Sequence, residues 1–208
     1  MNRKIISFLI PLTLILPGCD YSNDTFLSGT NDADWIQRGG SALFEIKENQ
    51  LIGTSVVDNR NSFFCTVKEY GDFELEVDVK VDTAMNSGIQ IRSQSLEDYQ
   101  DGRVHGYQIE IDPSERAWSG GIYDEGRRGW LVDLSENDEG RKAFKNGEFN
   151  HYKIVAKGDS INTWINGIMT ASLKDGMTTK GFIAFQVHGT KLERPMQVIW
   201  KNIKLKEL

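Results

Sequence analysis

The sequence has little material for disulfide or metal chemistry. It holds two cysteines, Cys19 and Cys65, and three histidines among 208 residues. A structural zinc site needs about four Cys or His ligands, so this composition argues against one. Acidic side chains would suit Ca²⁺ or Mg²⁺, but no loop has a recognisable ligand spacing. We therefore expect no cofactor. Cys65 lies in an apolar stretch, residues 63–67, and is expected to be a buried, inert thiol rather than a nucleophile.

Basic patches are also missing. The chain has 24 Lys and Arg against 30 Asp and Glu, a formal charge of −6, and no run of basic residues. Binding to nucleic acid depends on clustered Lys and Arg, so we expect no nucleic-acid partner. An acidic surface is compatible with neutral ligands such as sugars.

The N-terminus has the pattern of a secretory signal. A short basic start, residues 1–4, precedes an apolar run over residues 5–16 that is too short for a stable membrane span. Leu16-Pro17-Gly18-Cys19 then resembles a bacterial lipobox, in which Cys19 would receive the lipid. The alternative is a plain signal peptide with an incidental cysteine.

The lipobox interpretation predicts a lipoprotein of a Gram-negative cell envelope, facing the periplasm or the surface. Its membrane contact would be the lipid on Cys19. Removal of the signal peptide, residues 1–18, would bring the charge to −8, because Arg3 and Lys4 are lost. The polar residues 19–32 are typical of a flexible tether. Residues 33–208 are enough for one domain with a sizeable core.

No long segment of the sequence has helical periodicity. Instead, apolar and polar side chains alternate along several segments. Residues 73–82 alternate apolar and charged side chains, which predicts a half-buried antiparallel strand. Asn166-Gly167 predicts a type I′ hairpin, and a second hairpin is expected around Glu48-Asn49. The one helical candidate is short, residues 137–144. The spacing of strands and turns predicts an all-β fold, a β-sandwich.

Several strands carry polar rows that differ from an ordinary solvated face. These rows contain Gln90 and Arg92; Gln108, Glu110 and Asp112; and Gln186 and His188. If the strands are neighbours, the rows merge into one concave surface that suits hydroxyl groups. The alternative is a second solvated sheet face.

The sheet pattern stops between residues 113 and 134. This stretch holds Trp118, Tyr123, Arg128 and Trp130, and such aromatic and charged side chains in a loop are typical of a carbohydrate subsite. The alternative is a loop folded over the edge of the sandwich, with its tryptophans as plugs.

Glu110, Asp112 and Glu115 form the spacing E-x-D-x-x-E, which resembles the catalytic strand of laminarinase-type β-glucanases. A retaining mechanism needs two carboxyls roughly 5–5.5 Å apart. Pro113 is disfavoured inside a central strand, so the strand is expected to end there and Glu115 to turn away. We therefore prefer another interpretation.

Six ordered motifs resemble the 3-keto-disaccharide hydrolase domain family over nearly the whole mature chain. The first five lie at residues 61–66, 69–73, 86–93, 106–113 and 119–125, and the closing motif combines residues 181–189 with 200–203. The resemblance implies a concanavalin A-like jelly-roll sandwich of two antiparallel sheets. It also implies cleavage of glycosides already oxidised at C3. Lys201 departs from the arginine expected in much of the family, which keeps the charge but not the bidentate geometry.

The implied chemistry needs a base near C2, donors at a developing enolate oxygen, and an acid for the leaving group. We assign Glu110 as base or acid, His188 as its proton-transfer counterpart, and Arg92 as the enolate stabiliser. The substrate-binding residues are predicted to be Gln90, Gln108, Asp112, Trp118, Tyr123, Arg128, Trp130, Gln186 and Lys201.

Alternatives to these roles remain open. The two proton-transfer roles could be swapped, or Tyr123 or Arg128 could serve. His188 could be a structural residue, and the role of Arg92 could be limited to an ion pair with Glu110. A lectin-like module that binds sugars without cleaving them is the second functional hypothesis.

Overall fold

A computed structural model of the chain describes residues 26–27, 32–58 and 60–208. The predicted signal peptide, Cys19 and nearly all of the tether lie outside the described residues. None of the helices within the described ranges is long and apolar enough to cross a membrane.

Fourteen strands, one α-helix and one short 3-10 helix (Asp32–Asp34) make up the described fold. The strands are β1 Trp35–Gly39, β2 Leu43–Lys47, β3 Gln50–Thr54, β4 Ser62–Thr66, β5 Phe73–Val81, β6 Ser87–Gln94, β7 His105–Ile111, β8 Ile122–Glu125, β9 Gly129–Val132, β10 Asn150–Lys157, β11 Ser160–Ile165, β12 Ile168–Lys174, β13 Phe182–Val187 and β14 Gln197–Glu207; the helix, α1, is Asp138–Ala143.

The strands form two seven-stranded sheets. Sheet A has the order β1-β4-β13-β6-β7-β8-β9, and sheet B has the order β12-β11-β10-β5-β14-β3-β2. Every strand pair within them is antiparallel. Strands that are distant in sequence are neighbours in both sheets, as in a jelly roll. The predicted all-β jelly-roll sandwich of two antiparallel sheets is confirmed.

Tight turns join the hairpins at the expected places. Asn166 and Gly167 both have positive φ, 51° and 83°, as a type I′ turn requires. Glu48 and Asn49 have φ of 49° and 63° between β2 and β3, so the second predicted hairpin is also present. The predicted helix is confirmed as α1, with the Asn137 side chain capping its N-terminus.

One continuous apolar core lies between the sheets. Strand β5 contributes its odd-numbered residues to it, as the alternation predicts, and Trp200 of β14 packs 5.2 Å from Phe185 of β13 between ring centroids. The side chains that do not enter this core lie on the outer faces of the sheets, because strand residues alternate between faces.

A second, smaller apolar cluster lies on the outer face of sheet A. It contains Phe63, Cys65, Val104, Phe182 and Ala184. Burial raises the pKa of the Cys65 thiol to about 12, which keeps the thiol protonated and unreactive. This agrees with the inert thiol predicted from the sequence. The rest of this outer face carries the polar rows.

The stretch expected to be a loop, residues 113–134, contains two short strands, β8 and β9, which extend sheet A. They were missed because each has only four residues. Together they place Tyr123 and Trp130 opposite each other in register, beside Gln108 of β7.

Candidate functional site

A cavity of about 240 Å³ opens on the outer face of sheet A. It is lined by Asn61, Asn86, Gln108, Glu110, Arg116, Tyr123, Glu125, Trp130, Gln186 and His188. Strands β13, β7, β8 and β9 supply most of these side chains. The volume is slightly below the range of roughly 300–1,000 Å³ that is common for ligand pockets.

Glu110 is the buried carboxyl of this cavity, with only 4% of its surface exposed. Its Oε2 accepts a hydrogen bond from Gln108 Nε2 at 2.9 Å, and its Oε1 accepts one from Asn86 Nδ2 at 2.5 Å. Burial raises the pKa of Glu110, the nearby Asp112 raises it further, and the two amide donors and Arg116 oppose that rise. A carboxyl with a raised pKa in a cavity is suited to general acid–base catalysis.

Three glutamines form a hydrogen-bonded network that contacts Glu110. Gln108 Oε1 accepts from Gln90 Nε2 at 2.7 Å and from Gln186 Nε2 at 2.9 Å. Gly88 makes room for this arrangement, since a Cβ there would come within 2.5 Å of the Gln108 side chain. These bonds fix Gln108 so that its amide N–H₂ points at Glu110.

The Oε1 atom of Gln186 has no hydrogen-bond partner among the described residues, although it is buried. A buried acceptor without a donor is costly, and most such atoms in proteins are satisfied. Gln186 also lines the cavity. A ligand hydroxyl there would supply the missing donor.

Arg116 supplies the cation at this cavity. Its guanidinium lies 4.9 Å from the Trp118 ring centroid and 5.1 Å from that of Trp130. Nε donates to Asp112 Oδ2 at 2.8 Å, and an Nη atom lies 3.7 Å from Glu110 Oε1. The strand ends before Pro113, and the chain turns back at residues 114–117. Asp112 and Arg116 are oppositely charged and four residues apart, which was a signal in the sequence for this pair.

His188 follows the last residue of β13 and lines the same cavity as Glu110. It is exposed, and its Nδ1 lies 2.8 Å from the carbonyl oxygen of Gly189. A carbonyl oxygen only accepts, so Nδ1 carries the proton and Nε2 is left for a ligand. Besides Arg116, three further lining residues, Asn61, Asn86 and Glu125, were not predicted. The roles assigned to Glu110 and His188 stay predictions.

The prediction that Arg92 converges on this cavity is wrong. A bulge interrupts the register of β6 on both of its sides, and Arg92 has a left-handed φ of 46°. This conformation breaks the alternation that would have placed Arg92 beside Gln90. The fully buried guanidinium instead donates to the carbonyls of Gly71 and Gly158 and pairs with Asp72. It ties sheet A to the loops of sheet B, and it does not pair with Glu110.

Three predicted binding residues contact side chains that line the cavity. Gln90 holds Gln108, Asp112 holds Arg116, and Trp118 packs edge-on against Trp130 at 4.9 Å. None of the three lines the cavity, whereas Gln108, Tyr123, Trp130 and Gln186 do so.

Two other predicted binding residues lie elsewhere. Arg128 pairs with Asp124, whose side chain leaves β8 on the opposite face from Tyr123, and with Asp175. Lys201 lies in sheet B and covers the Phe149 ring at 3.8 Å. Lys201 was chosen from the family resemblance and Arg128 from the stretch 113–134, and neither lines the cavity. Glu115 is exposed in the turn, as expected.

Within the described ranges, no cluster of three or more His, Cys, Asp or Glu side chains could hold a metal ion. The residues that line the cavity can themselves supply proton transfer and hydrogen bonding. Aromatic walls, amides, a carboxyl and a guanidinium together define a site for a polyhydroxylated ring.

Comparison with known proteins agrees with a carbohydrate-related role. The sequence model of the 3-keto-alpha-glucoside-1,2-lyase-like domain matches residues 23–206. The chain belongs to this family. No curated protein sequence matches it.

Several solved structures share the fold. The carbohydrate-binding module CBM66 from Bacillus subtilis has a TM-score of 0.62 and 14% identity, and the match covers 84% of this chain and 96% of that one. A proposed glycosyl hydrolase from Parabacteroides distasonis has a TM-score of 0.58 and 22% identity, over 82% and 93% of the two chains. A Bacillus subtilis protein with a galectin-like fold has a TM-score of 0.61 and 14% identity, over 84% and 90%. At these identities the likeness extends to the fold alone.

Proposed function

We propose that the chain cleaves 3-keto-glycosides by elimination across C1 and C2, followed by hydration. The observation that carries the proposal is Glu110, a buried carboxyl with a raised pKa at the floor of a cavity with aromatic walls. Membership of a 3-keto-glucoside lyase-like family supports the substrate class. We retain the proposed lipid anchor at Cys19, which would hold the enzyme at the envelope membrane.

Proton abstraction at C2 is the first proposed step. A ketone at C3 acidifies the C2 hydrogen, because the electron pair left at C2 delocalises onto the C3 oxygen. Glu110 takes this proton as its carboxylate. Gln108 and Asn86 each donate to one of its oxygens, so the base is held in a fixed orientation towards the cavity.

Stabilisation of the enolate is assigned to Arg116 instead of Arg92. Arg116 is the cation nearest to Glu110 in the cavity and is held by Asp112 and two indole rings. A fixed guanidinium at the C3 oxygen would stabilise the charge that develops there. Gln186 Oε1 would accept a hydrogen bond from a sugar hydroxyl, which satisfies its orphaned lone pairs.

Loss of the leaving group completes the elimination. The enolate electron pair reforms the C3 ketone, a C1=C2 double bond forms, and the bond from C1 to the leaving oxygen breaks. His188, with both ring nitrogens protonated, is assigned to donate its Nε2 proton to that oxygen. Water then adds across the double bond: its oxygen bonds to C1, His188 takes back a proton from the water, and Glu110 returns its proton to C2. The net reaction is hydrolysis.

A paired assay tests the proposal. The purified chain should cleave an aryl 3-keto-glucoside and leave the corresponding unoxidised glucoside intact, because only the ketone acidifies C2. If neither is cleaved but both bind, the chain is a binding module of the same fold. Cleavage of unoxidised β-glucan would instead favour the glucanase interpretation.

The Glu110→Gln variant tests the assignment of the base. Removal of a general base typically costs roughly 10²–10⁴-fold in rate, so kcat should fall by this factor while the circular dichroism spectrum is unchanged. Glu115→Gln is the matched control, because Glu115 is an exposed carboxyl five residues away and should retain full activity. Equal activity of both variants would contradict the role of Glu110.

A further inference from the structure

A second cavity adjoins the proposed catalytic cavity. It has a volume of about 710 Å³, roughly three times that of the first. Asn61, Glu125 and His188 line both cavities, so these three side chains form a common boundary. The two spaces are therefore parts of one groove on the outer face of sheet A.

The larger cavity combines apolar and polar surfaces. Phe63 of β4 and Val104, which precedes β7, supply apolar surface from the smaller core cluster. The loop between β6 and β7 supplies the polar rim through Gln100, Asp101 and Arg103. Sugar rings have both apolar C–H surfaces and hydroxyls, and a site of this composition suits both.

Arg103 organises this rim. Its guanidinium donates to Gln100 Oε1 at 3.2 Å within its own loop and to Glu125 Oε1 at 3.1 Å on β8. Glu125 is one of the shared boundary residues. Arg103 thus links the loop that lines the larger cavity to the boundary that the two cavities share. About half of its side chain is exposed, so a ligand could reach it.

We infer that the larger cavity is the subsite for the leaving group, and that Arg103 determines selectivity for a ring-sized leaving group over a small alcohol. The inference rests on the proposed function for the direction of the substrate. With C2 over Glu110 and the C1 oxygen near His188, the leaving group passes the shared boundary and enters the larger space. The leaving group is a hydroxylated ring such as a second hexose.

Two substrates that share the 3-keto-glucosyl group test the inference on the full chain. One carries a methoxy leaving group, and the other carries glucose. The wild type should show a higher kcat/KM for the disaccharide, and Arg103→Ala should lower the ratio of the two kcat/KM values at least tenfold. Arg194→Ala is the matched control, because Arg194 is a surface arginine paired with Asp82 beside sheet B and should leave the ratio unchanged.

A binding measurement separates this inference from the proposed function. If the wild type cleaves neither compound, the proposed function fails, and calorimetric titration with the same two compounds then decides on the subsite. The disaccharide should bind at least tenfold more tightly than the methyl glycoside in the wild type, and this difference should disappear in Arg103→Ala. Equal values for the two compounds in the wild type, or a ratio that Arg103→Ala does not change, would overturn the inference.

Discussion

Glu110 owes its chemistry to its surroundings more than to its position in a motif. The alternation of β7 predicts that Glu110 and Gln108 share a face, and the structure places both in the cavity. The sequence gives no measure of burial, and burial is the largest cause of the raised pKa. The unpaired Gln186 Oε1 atom could not be predicted from the sequence either, because its surroundings depend on contacts between three strands.

The raised pKa of Glu110 predicts how stability depends on pH. Folded protein keeps the Glu110 proton at pH values where unfolded protein has released it, so the contribution to stability is complete at low pH. This contribution is lost as the pH rises above the ordinary value of 4.5 and through the raised pKa. The loss amounts to about 1.4 kcal/mol for each pH unit by which the pKa is raised.

Urea unfolding at pH 4.5, 6 and 8 checks this prediction. The free energy of unfolding of the wild type, minus that of Glu110→Gln, should be smaller at pH 8 than at pH 4.5, because the variant lacks the titrating carboxyl. If Glu110 is also the base, kcat/KM of the wild type should decline on acidification with a midpoint above 4.5. A difference in stability that rises with pH would show that the carboxylate is stabilised by the fold.

At the scale of elements, the bulge in β6 explains why one predicted site residue is replaced by another. Periodicity assigns Arg92 to the outer face, but a bulge shifts the alternation by one residue and sends its side chain inwards. Nothing in the residues around Arg92 gives a strong bulge signal. Arg116 lies in the cavity because the chain reverses direction after Pro113. The sequence predicts that the strand ends at Pro113, but it does not predict where the residues of the turn lie.

Replacement of Arg92 by methionine should therefore affect folding and not the site. The carbonyls of Gly71 and Gly158 would lose their donors and Asp72 its ion-pair partner, which should cost roughly 2–4 kcal/mol in the free energy of unfolding. KM should stay at the wild-type value at temperatures where the variant is folded. An increase in KM without loss of stability would contradict this prediction and indicate that Arg92 contributes to substrate binding.

At the scale of the whole molecule, the two-sheet fold was the most predictable feature. Alternation in strands such as β5 and the turn residues Asn166-Gly167 are local signals, and the structure agrees with them. The order of strands within each sheet depends on pairing between distant segments, such as β13 with β6, which no local pattern encodes. The cavity depends on that order, since its side chains come from strands far apart in sequence.

The shared core predicts that both sheets unfold together. Trp200 of sheet B is fully buried and packs on Phe185 of sheet A, and the Tyr152 hydroxyl of β10 donates to the backbone carbonyl of Glu110 at 3.3 Å. Amide hydrogens of β5 and β7, inner strands of opposite sheets, should therefore exchange with the same free energy of opening.

Trp200→Ala should lower the free energy of opening equally in β5 and β7, by about 3–5 kcal/mol. The control Leu43→Ala, at an exposed position of an edge strand, should change neither by more than about 0.5 kcal/mol. A loss confined to β5 would mean that sheet A keeps its fold, and with it the carboxyl site, without support from sheet B.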